Sequence, residues 1–392
     1  MVTDRDEVRW DSEPLTDQAP VMPPPPAPRG MFRQPPPQQG WQAPTRPVPP
    51  QPAPVYPSPP AGGPPWPGPQ HPQAQQPPTS YAERIRPDQL VPTRKAVPGR
   101  GWRAVLYRAT FGLVNLGPSP EERRLADLEA VIRGPLRGRF KVGVMGKGGV
   151  GKTTVSACIG SLLAELRQDD RVVAIDADTA FGKLGSRVDP NAQGSFWELA
   201  GDQHLETFAD VRNRLGHNAA GLFVLAGEAT PARRRVLDPA IYREAAARLD
   251  RHFSIVVTDC SSTMDSPVTQ EVLRDLDALV VVSSPWVDGA AAAGQTLDWL
   301  AARGMTTLLQ RTVVVLNDSD GHADKRTRSV LAQQFSGQGQ PVIEIPFDGS
   351  LRPGGVIDGT GQMSRAARRK LVEVTAALAG FFPRDDRPRD RR

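Results

Sequence analysis

The segment Gly146-Lys-Gly-Gly-Val-Gly-Lys-Thr-Thr154 decides how this sequence is interpreted. It fits the pattern G-x-x-x-x-G-K-[ST], whose glycines let backbone N–H groups turn inward around phosphate oxygens. Lys152 can place its charge on the terminal phosphates of a nucleotide, and Thr153 can bind Mg²⁺ through its hydroxyl. The segment also holds an earlier lysine, Lys147, that a single nucleotide does not require. The pattern predicts a nucleotide-binding site.

Short apolar runs alternate with helical patterns on both sides of this loop. A strand is predicted over 140–145 and a helix from 152 to about 166. Further strands are predicted at 171–176, 222–226, 254–259, 278–283, 312–317 and 341–345, and further helices near 239–249, 287–302 and 365–381. This alternation favours a mostly parallel sheet with helices on both faces. The predicted fold class is therefore α/β, as a P-loop NTPase.

Composition divides the chain into four segments. About thirty of its 42 prolines precede residue 99, and such a segment lacks both N–H donors and apolar mass for a core. We therefore predict a disordered proline-rich tail over 1–98 and a pair of short amphipathic and capped helices over 99–137. The nucleotide-binding domain is predicted over 138–383, followed by a charged tail over 384–392.

The segment before the domain is expected to bind a partner surface. Residues 101–116 are typical of an amphipathic helix that ends at Gly117-Pro118, and their apolar side chains are too numerous to leave in water. Their own domain, a partner protein and a membrane face all remain open as partners. Ser119 should cap a second helix that runs to about Arg133, with Pro120 in its first turn and Glu122 closing a capping box.

Several classes of protein are disfavoured. The N-terminus shows no secretory signal and no run of apolar residues is long enough for a membrane span, so we expect a cytoplasmic protein. Cys158 and Cys260 are too few for a disulfide framework, a zinc site or an iron–sulfur cluster. The net charge is +5. The arginine-rich segment before the domain could bind nucleic acid, anionic lipid or an acidic protein.

The loop resembles the deviant Walker A motif of the MinD/ParA family of dimeric ATPases. The resemblance implies ATP and Mg²⁺ as cofactors and an ATP-dependent homodimer. In that family the early lysine reaches the partner's ATP, so Lys147 would act across the interface. Lys147, Lys152 and Asp178 would then be the catalytic residues. The resemblance assigns nucleotide binding to Gly146, Lys147, Gly148, Gly149, Val150, Gly151, Lys152, Thr153 and Thr154.

Strand ends supply the remaining site residues implied by the resemblance. Asp178 would orient the attacking water, whereas Asp176 and Asp259 would support Mg²⁺ together with Thr153. Asn317 would bond the adenine, and Pro346 would flank the base. Carboxylates at strand ends can also be plain helix caps.

One departure from the family pattern concerns the segment Asp259-Cys-Ser-Ser-Thr263. The family has a glycine-bearing turn there, so Thr263 or a serine must supply the contact to the terminal phosphate. The sequence therefore does not predict the hydrolysis rate.

The segment 101–121 narrows the resemblance to the MinD-like ATPases encoded with type VII (ESX) secretion systems.

Three functions follow in order of preference. The first is an ATP-hydrolysing dimeric switch that supports or regulates a type VII secretion system, recruited to the inner membrane face through 101–116. The second is a ParA-like partitioning ATPase that binds DNA, for which Arg233–Arg235 and Arg365–Lys370 are candidate basic surfaces. The third is a nucleotide-binding scaffold with little hydrolysis.

Overall fold

The structure is a computed structural model that describes residues 101–178, 182–227, 236–337 and 339–384. The predicted tail over 1–98, the arginines at 233–235 and the residues from 385 onward lie outside these ranges. None of the helices in the described ranges is long and apolar enough to cross a bilayer.

Eight strands form one sheet in the order β3-β4-β2-β5-β1-β6-β7-β8. The strands are β1 (Phe140–Gly146), β2 (Val172–Ala177), β3 (Gly216–His217), β4 (Phe223–Leu225), β5 (Ile255–Cys260), β6 (Ala278–Ser283), β7 (Thr312–Asn317) and β8 (Val342–Ile345). All neighbours pair in parallel except β3 and β4, which are antiparallel. The predicted α/β fold with a mostly parallel sheet is confirmed.

Helices connect the strands and cover both faces of the sheet. They are α1 (Gly101–Ala109), α2 (Pro120–Ile132), α3 (Lys152–Leu166), α4 (Leu184–Val188), α5 (Phe196–Gly201), α6 (Phe208–Arg212), α7 (Pro239–Leu249), α8 (Pro267–Asp275), α9 (Val287–Ala302), α10 (Thr306–Gln310), α11 (Lys325–Ser336) and α12 (Arg365–Ala379), with a 3-10 turn at Thr360–Gln362. One apolar cluster lies between the sheet and α3 and α12, and a second lies on the face covered by α7, α8 and α9.

The structure agrees with the sequence at the start of α2 and at the two cysteines. Ser119 caps α2 and Glu122 closes the capping box, as predicted. Cys158 and Cys260 are free and buried. The structure adds the strand β3 and the helices α4, α5, α6, α8, α10 and α11, which no pattern had indicated. Most of these elements are short, so few residues carry their periodicity.

The predicted helix over 101–116 is wrong in length, because α1 ends at Ala109. Phe111 has a positive φ of 52°, and the N–H of Gly112 donates to the carbonyl of Tyr107 at 2.8 Å. The hydroxyl of Thr110 donates to the carbonyl of Leu106 at 2.7 Å. These local bonds replace the next helical turn. The following residues form a turn that leaves the ring of Phe111 almost fully exposed (96%).

A buried ion-pair cluster holds the amino-terminal edge of the sheet. Lys141 in β1 is 6% exposed, and its Nζ lies 2.9 Å from Asp250 and 2.6 Å from Asp275. Its backbone N–H donates to Asp277 at 2.9 Å. The buried charge is thus compensated by carboxylates from the segments that precede β5 and β6, which fixes these strands against β1.

Candidate nucleotide-binding site

The loop between β1 and α3 is shaped by glycines that no other residue could replace. At Gly146 φ is 152°, and an added Cβ would lie 2.2 Å from the carbonyl oxygen of Val282. At Gly151 φ is 95°, and an added Cβ would lie 2.5 Å from the Nδ2 of Asn317. Positive φ and close approach both exclude a side chain. The strand end and the helix start are therefore held near each other across a tight backbone curve.

Helix α3 opens toward this curve without a side-chain cap. Its N-cap is Gly151, so no side chain occupies the first amides, and the positive end of the helix dipole faces the loop. Lys152 is 8% exposed, and its Nζ donates to the carbonyl of Lys147 at 3.3 Å. Thr153 and Thr154 are half-buried, Val150 is buried, and Gly148 and Gly149 are exposed. The arrangement can receive an anion.

Two buried carboxylates stand beside the loop. Asp176 in β2 and Asp259 in β5 are register partners and are 2% and 1% exposed. Asp176 accepts from the backbone N–H of Leu184 at 2.9 Å and from that of Asp178 at 3.3 Å. The Oδ1 of Asp259 accepts from the hydroxyl of Ser156 at 3.2 Å. Its buried Oδ2 has no hydrogen-bond partner of ordinary geometry among the described residues.

Burial makes both carboxylates reluctant to ionise. Desolvation raises the pKa of Asp176, and the charge of Asp259 raises it further. Desolvation also raises the pKa of Asp259, while the hydroxyl of Thr153 and the charge of Lys152 oppose this shift. Two adjacent buried acids that share one nearby cationic side chain, Lys152, form an environment that a further cation would stabilise.

These residues fit a cation that is shared with a ligand. No three His, Cys, Asp or Glu side chains of the described residues cluster as a complete metal site. Asp176 and Asp259 supply oxygens, and the hydroxyl of Thr153 lies near Asp259. Mg²⁺ favours such sites, because it keeps several waters and takes one or two carboxylates together with substrate phosphates. The unpartnered Oδ2 of Asp259 is the atom that fits this requirement best.

Lys147 points away from its own loop. Its Nζ lies 2.5 Å from the Oδ2 of Asp288 in the first turn of α9, with side chains 46% and 66% exposed. The hydrogen bond from Lys147 lowers the pKa of Asp288. No sequence motif predicts that Asp288 is the partner of Lys147. The one available signal is its position as the acidic residue in the first turn of α9. Exposed pairs of this kind are weak, because water screens them.

Asn317 and Pro346, which were predicted to contact the adenine, lie in two different parts of the structure. The Nδ2 of Asn317, at the end of β7, donates to the carbonyl of Val150 at 2.8 Å, so this side chain braces the phosphate loop. Pro346 follows β8 and borders a cavity of about 570 Å³ whose other walls come from α2, α11 and α12. Phe347 is 38% exposed and lies against Gly321.

The segment after Asp259 is held by its own polar groups. Ser261 is buried, and its hydroxyl accepts from the N–H of Thr263 at 3.3 Å. Burial raises the pKa of the neighbouring Cys260 thiol, so this thiol stays protonated. Asp178 is half-buried at the end of β2, and residues 179–181 lie outside the described ranges.

Three of the basic residues considered for DNA binding, all on α12, form ion pairs with carboxylates. Arg368 pairs with Glu129 at 3.3 Å, and Arg369 pairs with Glu121 at 2.5 Å. Lys370 pairs with Glu373 at 2.8 Å. The first two ion pairs join α12 to α2, and the third lies within α12. These pairs are explained by the packing of the two helices, without any role in DNA binding.

The two carboxylates generate a prediction about stability. A pKa that is raised in the folded state gives stability at low pH that is lost as pH rises through the folded pKa. Asp176→Asn removes one of the charges, so the metal-free variant should melt several degrees above wild type at about pH 8 and near it at about pH 5. Calorimetry in EDTA measures this, with the exposed Asp265→Asn as control. An equal loss of stability at both pH values would contradict the electrostatic account.

Comparison with known proteins gives a consistent assignment. The chain is 34% identical over 296 residues to the ESX-1 secretion-associated protein EspI of Mycobacterium tuberculosis, covering 75% of this chain and 44% of that protein. The chain thus spans less than half the length of this relative. It is 28% identical over 208 residues to an uncharacterized ATP-binding protein of Methanocaldococcus jannaschii, MJ0169, covering 53% of this chain and 74% of that protein.

A solved structure of a ParA family ATPase has a similar fold. A ParA family ATPase from Chlorobium tepidum superposes with a TM-score of 0.50 at 18% identity, covering 61% of this chain and 98% of that structure. The profile of the CobQ/CobB/MinD/ParA nucleotide binding domain matches residues 142–353, which include the phosphate loop, both carboxylates and the end of β7. The chain therefore belongs to the CobQ/CobB/MinD/ParA nucleotide-binding domain family.

Proposed function

We propose that this protein is a switch that binds Mg²⁺-ATP, pairs with a second copy around it, and hydrolyses it slowly in support of a type VII (ESX) secretion system. The observation that carries the proposal is the convergence of the uncapped start of α3, Lys152 and two buried carboxylates at one edge of the sheet. This set has the charge and hydrogen-bonding groups for a metal-bound triphosphate.

Each residue at this edge has a separate task in the proposal. The backbone N–H groups of 146–154 and the ammonium of Lys152 bind the phosphates. Thr153 and Asp259 hold the cation, and Asp176 fixes their surroundings. Mg²⁺ bound there would neutralise charge on the phosphates. Asp178 lies beside Asp176 at the strand end and orients the attacking water.

Binding and hydrolysis should separate between two variants. Lys152→Ala should weaken Mg²⁺-ATP binding by about a hundredfold or more, because a triphosphate loses its direct cation. Asp178→Ala should retain binding and slow hydrolysis by about 10²-fold or more, because only the water-positioning group is lost. Isothermal titration and phosphate release measure the two effects, and Lys325→Ala at the exposed start of α11 is the control lysine.

The outcomes of this experiment distinguish the candidate functions. Unchanged affinity in Lys152→Ala would remove the phosphate-loop assignment. Wild-type turnover in Asp178→Ala would leave Asp178 without its role. A wild type that binds ATP but never releases phosphate would favour the scaffold function, in keeping with the altered segment at 259–263.

Pairing with a second copy depends on Lys147 in this proposal. In the single chain its ammonium contacts Asp288, and both side chains are largely exposed. A facing triphosphate carries several negative charges and can displace one screened carboxylate. Lys147 thus exchanges an internal partner for the nucleotide of the second copy. Asp288 would then set how readily this exchange occurs.

Variants of this ion pair should change dimerisation in opposite directions. Lys147→Ala should raise the dimer dissociation constant at least tenfold while ATP affinity of the monomer stays near wild type, since Lys152 and the loop remain. Asp288→Asn should lower that constant, because Lys147 is released from its internal competitor. Analytical ultracentrifugation with Mg²⁺-ATP in an Asp178→Ala background measures both. A wild type that stays monomeric, or a Lys147→Ala dimer of equal strength, would exclude the mechanism.

The secretion role draws on the relative and on one exposed surface. EspI is named as an ESX-1 secretion-associated protein and matches three quarters of this chain. The segment 101–116 displays Trp102 (67% exposed), Val105 (66%), Phe111 (96%) and Leu113 (89%). It contains no acidic residue, and such a surface suits a secretion component or the inner membrane face.

Vesicle flotation tests the membrane part of this proposal. The full chain should float with vesicles that contain about a third anionic lipid, and Phe111→Ser with Leu113→Ser should reduce the bound fraction several-fold by removing the inserted area. Val236→Ser is the control, because Val236 is an equally exposed apolar residue (81%) outside the segment. If the double variant floats as wild type does, the segment does not contact lipid.

A further inference from the structure

The buried basic side chains divide into two groups. In the part of the chain that the structure describes, the buried ones are Lys141 (6% exposed), Lys152 (8%), Arg167 (8%) and Arg187 (5%). Lys141 pairs with two aspartates, and Arg167 pairs with Asp170 at 2.6 Å. Lys152 and Arg187 form no ion pair with any described carboxylate. The two groups also differ in place, since only the second adjoins the phosphate loop.

A buried charge without a counter-charge is costly to hold. Among the residues that the structure describes, Arg187 has only neutral acceptors, and its burial lowers the pKa of its guanidinium. Elsewhere the fold satisfies buried basic groups with carboxylates, so the exception calls for an explanation. Lys152 lies near Asp259 but forms no ion pair with it, and the proposed triphosphate is the anion that would pair with it. The same anion is the nearest explanation for Arg187, because the two residues meet the same turn of α3.

The contacts of Arg187 lead directly to that turn. Its Nη2 donates to the Oγ1 of Thr154 at 2.9 Å and to the carbonyl of Leu351 at 3.4 Å. Its Nη1 donates to the carbonyl of Gly355. Arg187 therefore joins the loop after β8 to the third residue of α3, Thr154, which is also the last residue of the segment 146–154.

The direction of the bond to Thr154 determines what its hydroxyl can do. A threonine hydroxyl has one proton to donate and two lone pairs to accept with. Because Arg187 carries no lone pair, the hydroxyl must accept from it and its own proton is left for another acceptor. A phosphate oxygen is the acceptor that the adjacent loop is built to hold.

We propose that Arg187 is a positioning residue for nucleotide binding, which turns the hydroxyl of Thr154 into a donor toward the bound phosphates and adds its own charge behind that bond. This inference rests on the proposed nucleotide binding and extends it to a residue outside the motif. The contacts to Leu351 and Gly355 hold the guanidinium in place, so its charge is fixed before the ligand arrives.

A double-mutant cycle tests the coupling of the two residues. Arg187→Met keeps length without charge, and Thr154→Val keeps shape without the hydroxyl. Each should weaken Mg²⁺-ATP binding by about tenfold, and the double variant should be about as weak as either one, against roughly a hundredfold if the effects were independent. Arg187→Lys should recover part of the affinity. Arg352→Met, an exposed arginine on the same loop, is the control.

Binding of inorganic tripolyphosphate is the second measurement on each variant, and the melting temperature without ligand is the third. Because Arg187 acts toward the phosphates, its loss should weaken tripolyphosphate and ATP by the same factor. Losses that simply multiply in the double variant would overturn the proposal. So would a loss confined to ATP, which would place the action of Arg187 on the base side, or a lower melting temperature with unchanged affinity.

These outcomes are separable from failure of the proposed function. If wild type bound neither probe, nucleotide binding itself would be excluded and the role of Arg187 with it. If wild type bound both and Lys152→Ala lost both, while Arg187→Met bound as wild type does, only the inference about Arg187 would fail.

Discussion

The pairing of β2 with β5 sets two buried carboxylates side by side, and the rest of the site is arranged around them. Asp176 and Asp259 are register partners, so their separation is fixed by the sheet and neither can move away from the other. Apolar strands on both sides keep water out. A pair of buried acids that Lys152 compensates only in part is stabilised by protons or by a cation. The phosphate loop places Lys152 and Thr153 beside this pair.

The sheet thus holds charge in two different ways at its two ends. At the amino-terminal edge the ammonium of Lys141 pairs with Asp250 and Asp275 without any ligand. At the opposite edge both the buried cations and the buried anions lack full partners. The first arrangement supports the fold, whereas the second leaves free energy to be recovered on binding.

Much of this could be predicted from sequence, for identifiable reasons. The phosphate loop, the alternation of strands and helices, and the cap at Ser119 all depend on residues close together in the chain, so local patterns reveal them. The end of α1 could not be read in the same way, because it depends on the positive φ of Phe111 and on local bonds of Thr110. Asp288 and Arg187 were missed because their partners lie far away in sequence and lack a motif. Asn317 was noted for a base contact, whereas its amide in this structure braces the loop.

The exposed contact between Lys147 and Asp288 has a consequence for how the protein responds to its ionic surroundings. Added salt screens charges in water over a distance of about 10 Å at 0.1 M, but affects buried pairs far less. The pair at the mouth of the loop is exposed, whereas the cluster at Lys141 is not. Ionic strength can therefore loosen the lysine that faces outward and leave the sheet intact. In the proposed dimer the same lysine faces a nucleotide whose own charge is also screened, so dimerisation should depend on salt much more steeply than folding does.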